Sequence, residues 1–220
     1  MWRTAAVLAC LAGTARADGD VAAEVAHARG LRFKQPVPIE TLAADAFAAR
    51  LAARDPGDDA LALVRWGLAA PGDALAAPRL TAFYDAAAKS VVVLAGAPDL
   101  ALVPALEHAL LDQVFGPAFD AAGPPDGDAR RARRALEDGD AVALSIEIAL
   151  ARAGTPPPWD DPELAAGLVA AAGAAVDPAA PLALREAERF SYRDGLAFVA
   201  ALRRGHGWRA VDAAFRRPPT

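Results

Sequence analysis

One cysteine, one methionine, two tyrosines and three histidines are all that the 220 residues hold of those types, and each scarcity removes a class of chemistry. Cys10 alone cannot close a disulfide within the chain, so stability rests on packing. Three scattered histidines allow few metal or triad arrangements. No nucleophile-elbow context surrounds a serine, and no glycine-rich loop follows a strand as a phosphate cradle requires. Basic tracts are also lacking: the net charge is −5, and the arginines alternate with acids, which excludes nucleic acid as a partner. Beyond the N-terminus the longest apolar run, Leu164–Val176, is mostly Ala and Gly and falls short of the roughly 20 residues a bilayer span needs, so no transmembrane segment is expected in the mature chain.

What is present begins with an export pattern. Arg3, the apolar run Ala5–Ala12 and Ala15-Arg16-Ala17 follow the order of a secretory signal peptide, with cleavage expected after Ala17 and localisation in the periplasm, cell envelope or medium. Val7-Leu8-Ala9-Cys10 also reads as a lipobox, in which Cys10 would carry a lipid anchor. Residues 18–220 then suffice for one domain. Hydrophobic residues make up 55% of the chain, but much of that is alanine, which favours helix and buries little area.

The fold class expected is α+β, predominantly helical. Helices are predicted from an Asp20 cap to Gly30, from a Thr41 cap over Leu42–Arg54, around Leu61–Trp66, from Asp99 to Phe115, from Asp128 to Ala153 with an interruption at Gly139, and over Pro162–Ala175, Leu182–Phe190, Arg193–Arg204 and Trp208–Arg217. A Gly/Pro/Asp loop is predicted over Gly116–Gly127. Phe33–Ile39 is too proline-rich for a central strand and is placed at a sheet edge. Aromatic and β-branched residues predict one hairpin, Thr81–Asp85 with Val91–Leu94.

The informative segment is Glu107-His108-Ala109-Leu110-Leu111-Asp112-Gln113-Val114-Phe115. By itself, a lone helical histidine is usually a satisfied structural group. The segment resembles, however, the HExxHALQDQxF helix of bacterial zinc metallopeptidases of the gluzincin type. The likeness continues in order: Leu31–Pro38 resembles the opening strand, Ala82–Asp85 with Val91–Val93 the FYD hairpin, and Arg134–Ala141 the ALxEGDA helix. Phe190-Ser191-Tyr192, Gly195–Val199 and Gly207–Val211 through Pro218-Pro219 are similar to the closing elements.

The resemblance implies metallopeptidase-like helices packed on a small edge sheet, with a groove between the sheet edge and the helices carrying His108 and Asp138. Such sites need two histidines four apart on one helical face and a glutamate beside the first as base. Here His108 matches the second histidine, while the first falls on Pro104 and the glutamate on Ala105, neither of which binds metal or accepts a proton. The third ligand falls on Asp138, a carboxylate one methylene shorter. No catalytic residue and no cofactor is therefore expected; His108 and Asp138 are vestigial ligands, and Asp112 and Asp140 are candidates for former orienting groups. The expectation is an exported pseudo-peptidase with a peptide or protein partner. The alternative is a hydrolase whose zinc site is rebuilt from His108 and Asp138 with Glu107 or His206. Tyr192 is a weak candidate for an oxyanion-stabilising phenol. The run Arg130, Arg131, Arg133 and Arg134 reads as a solvated face paired with Glu137 and nearby aspartates, and His27 as a surface residue.

Overall fold

The computed structural model describes residues 18–53, 64–68, 70, 80–116, 127–174 and 181–217. The expected leader with Cys10, most of the 61–66 helix with its neighbouring turns, and the 116–127 loop apart from its end residues lie outside the described residues. The chain is α+β and mostly helical, with a small three-stranded sheet.

Helix α1 (Asp18–Arg29) places Val21 and Val25 in the core, and Gly30, with φ of 72°, ends it. Gly30 N–H donates to the His27 carbonyl and Leu31 N–H to that of Ala26, a pair of bonds that closes the last turn. Strand β1 (Ile39–Leu42) follows, then α2 (Ala44–Ala52), β2 (Ala82–Asp85) and β3 (Ser90–Leu94). The sheet order is β1-β3-β2, with β1 parallel to β3 (Ile39 opposite Val91) and β2 antiparallel to it (Phe83 opposite Val92). Three valines suit β3 because it is buried on both faces: Val91 and Val93 join the main core, and Val92 packs with Phe83 and Phe47 beneath α2. The Asp85 carboxylate accepts the N–H groups of Ala87 and Ala88, fixing the hairpin turn.

The edge strand departs from the expected boundaries. Phe33–Val37 is not a strand, because the Gln113 side chain occupies its backbone: Oε1 accepts the N–H groups of Lys34 and Gln35 at 2.7 and 3.1 Å, and Nε2 donates to the Gln35 carbonyl. Pairing begins only past Pro38, whose carbonyl accepts from Val91 N–H. Thr41 and Leu42 therefore lie in the strand, and the helix predicted to begin there starts at Ala44, after Ala43, without a side-chain cap.

A 3₁₀ turn (Asp99–Ala101) leads into α3 (Leu102–Phe115). Pro104 falls in the first turn of α3, where a missing N–H breaks no helical bond, so the helix accommodates it. Helix α4 (Gly127–Arg152) runs without a break through Gly139. Helices α5 (Pro162–Ala174), α6 (Leu182–Arg189), α7 (Gly195–Arg203) and α8 (Trp208–Arg216) complete the described elements. A π-helical segment, Phe190–Asp194, joins α6 and α7 where two separate helices were expected.

Gly139 is no interruption but the crossing point of α4 and α7. A Cβ there would stand 2.3 Å from the carbonyl carbon and oxygen of Gly195, and one on Gly195 would stand 2.0 Å from the Ala135 carbonyl oxygen. Two backbones touch, which only glycine permits. Around α3 the main core collects Val21 and Val25 of α1, Val91 and Val93 of β3, Leu106 and Leu110 of α3, and Leu144 and Ile148 of α4. A second cluster, with Leu111, Leu136, Trp159, Leu196, Val211 and Phe215, lies where α3 and α4 meet α5, α7 and α8.

Candidate functional site

Helices α3 and α4 pack side by side and bring His108 and Asp138 together. Nε2 of His108 lies 3.5 Å from Oδ1 of Asp138, and the two side chains are 18% and 9% exposed. The other oxygen, Oδ2, faces Nε of Arg134, also at 3.5 Å and one helical turn earlier on α4. Charges on α6 and the π segment surround this corner. Asp138, with Tyr192 and Glu188 nearby, raises the Arg134 guanidinium above its usual range. Burial pushes the Glu188 carboxyl up to about 7, with Asp138 adding to the rise and Arg134 opposing it. Burial and then the Asp138 charge lift Glu137 to about 8, although Arg133 reaches it at 3.3 Å.

The remaining expected positions separate from this corner. Pro104 is partly exposed on the first turn of α3, and Ala105 is buried in the main core. Asp112 is tied to the hairpin, accepting from Tyr84 Oη at 2.5 Å and from Lys89 Nζ at 2.8 Å, so it orients the sheet rather than a ligand. Burial, then that bond, pushes the Tyr84 phenol up. His206 is exposed in the turn between α7 and α8, and His27 is exposed on α1. Of the arginine run, Arg131 pairs with Asp128 at 3.4 Å, and Arg133 and Arg134 pair with Glu137 and Asp138.

Glu107 and Asp140 turn the other way, onto a residue that sequence reasoning passed over. Arg29 is fully buried, with Nε 3.2 Å from Glu107, a terminal nitrogen 3.0 Å from Asp140, and that nitrogen 2.8 Å from Asp212 on α8. Its guanidinium also lies over the Trp208 ring at 4.3 Å, and that of Arg203 lies over the same ring at 4.2 Å. One cation thus joins α1, α3, α4 and α8. Burial opposes its charge, but Asp140, Glu107 and Asp212 together raise its pKa. Burial drives Glu107 well above the carboxylate range, reinforced by Asp140, and lifts Asp140 to about 6 against the pull of Arg29. Asp140 is therefore an anchor for Arg29 and does not orient His108. A signal for Arg29 existed in the sequence: Val21, Val25 and Arg29 are spaced by four, so the arginine continues the buried stripe of α1.

Zinc does not fit the donors at the corner. His108 and Asp138 supply two ligands, the two oxygens of Asp138 face His108 and Arg134, and Pro104 offers no donor. Among the described residues no three His, Cys, Asp or Glu side chains converge as a metal-binding group. A concavity of about 360 Å³ lies elsewhere, lined by Gly19 and Ala22 of α1 with Phe33, Pro36, Val37 and Ile39. No described helix is long and apolar enough to cross a membrane. Compared with known proteins, the chain matches no protein family, no curated protein and no solved structure.

Proposed function

We propose that this chain is an exported, metallopeptidase-like protein that has lost peptide cleavage and serves a binding or scaffold role toward a peptide or protein partner. The observation that carries the reading is the direct pairing of His108 with Asp138 at 3.5 Å. Helices α3 and α4 bring together the two positions that the resemblance makes ligands, and the residues meet each other instead of a third donor. Pro104 and Ala105 stand where the first histidine and the base would be, so neither the metal nor the proton acceptor of a hydrolase is supplied. A rebuilt site would need Glu107 or His206, but Glu107 is bound to Arg29 and His206 sits in an exposed turn. Export rests on Arg3, Ala5–Ala12 and Ala15-Arg16-Ala17.

The test is elemental analysis for zinc and other divalent metals in protein purified without chelator, with His108→Ala run beside it. The expected result is no stoichiometric metal in either protein, with cooperative unfolding in both. Near-stoichiometric zinc that disappears in the variant would overturn the reading and establish a metal-dependent hydrolase as the alternative to pursue.

A further inference from the structure

We propose that Arg134 is the resident cation of the His108–Asp138 corner and bars a divalent metal independently of the loss at Pro104. The inference rests on the metallopeptidase-like reading above and adds a second lesion to it. Helix geometry places Arg134 one turn before Asp138, so its guanidinium reaches the Asp138 carboxylate without help from any other element. His108 takes one oxygen of that carboxylate and Arg134 faces the other, each at 3.5 Å. Glu188 stands near the same guanidinium, with its buried Oε2 accepting no hydrogen bond.

An arginine cannot release its proton to make way for a metal. A histidine ligand gives up a proton and stays in place; a guanidinium beside Asp138 keeps a full positive charge a few Å from where a dication would lie. The Asp138 carboxylate, whose negative charge would attract a metal, already faces the Arg134 guanidinium. Arg134 is more than half exposed, with a relative exposure of 57%, so replacing it leaves the core intact.

The experiment measures zinc affinity by competition with a chromophoric chelator in Pro104→His, Pro104→His/Arg134→Gln and Pro104→His/Arg134→Lys, each checked for fold by circular dichroism. The first change creates the i, i+4 histidine pair with His108; the second removes the charge while keeping a polar, hydrogen-bonding side chain; the third keeps the charge. Zinc should bind at least about tenfold more tightly to the Arg134→Gln protein than to the other two. Affinities within about twofold across the three, or no binding by the Arg134→Gln protein, would overturn the role of Arg134. Cobalt(II) absorption on the same proteins gives a second reading should zinc promote aggregation. Stoichiometric zinc in the unaltered protein would instead overturn the pseudo-peptidase reading, so the two failures are distinct.

Discussion

Glu107 and His108 are neighbours on α3, and Asp138 and Asp140 lie two residues apart on α4, yet the two helices send these pairs to opposite sides. Glu107 and Asp140 close around Arg29 in the dry interior, where four helices meet. His108 and Asp138 meet at a partly open corner with Arg134 over them. Adjacent helix positions are about 100° apart, so one segment serves two unrelated environments. The buried knot constrains its members through desolvation: every carboxylate there needs Arg29, and Arg29 needs them. At the corner, the Arg134 side chain is more than half exposed, so replacing it costs little stability. The comparison teaches that the groups holding these helices together are not the ones that meet at the corner.

The comparison is broken most severely at Arg29. Arg29→Met leaves three carboxylates in the interior without their cation, and a loss of about 3–5 kcal/mol is expected in urea unfolding, enough to prevent folding in a marginal protein. A loss below about 1 kcal/mol would show that protonation of Glu107 and Asp140 already suffices.

A smaller but still large effect is expected at the α4–α7 crossing that carries Asp138 past the π segment. Gly139→Ala puts a methyl 2.3 Å from the backbone of Gly195 and should cost at least about 2 kcal/mol by thermal unfolding, since neither backbone can swing aside as a side chain would.

The smallest effect concerns protons and distinguishes the two regions. Glu107, Glu137, Asp140 and Glu188 are all pushed above the usual carboxylate range by burial, the last three to about 8, 6 and 7. Each binds its proton more tightly in the folded state than in the unfolded chain. The stability this confers is complete below the unfolded carboxylate value of about 4 and is lost as pH rises through the folded values. The urea midpoint should therefore fall between pH 5 and pH 8. Glu188→Gln, at the half-open corner, should remove only about 1 kcal/mol of that change after allowance for solvent, leaving the larger share to the interior. A variant with an unaltered pH profile would show that Glu188 is charged throughout.

Much of the architecture was legible because local chemistry and fold agree. Valines and aromatics at 81–94 gave the hairpin, Gly30 the end of α1, and Asp99 the start of the 3₁₀ turn that leads into α3. The edge strand was misplaced because its prolines and extended backbone read as strand, while the group that occupies that backbone, Gln113, lies far along the chain. Gly139 read as a weak point for a similar reason: from the sequence it is a poor helix former, and only its contact with Gly195 gives it a purpose. At the corner, the pairing of Arg134 with Asp138 follows from a spacing of four, but the contribution of Glu188 and Tyr192 depends on where α6 and the π segment pack.

By itself, then, the sequence determined the helical bias, the position of the hairpin and the absence of a histidine four residues before His108, since these depend on residue type and on spacing within one element. Only the tertiary structure decided that Glu107 and Asp140 belong to Arg29 while His108 and Asp138 belong to each other. Which face of a helix meets which neighbour is set by the burial of many apolar side chains at once, and that sum is distributed over residues distant in the chain.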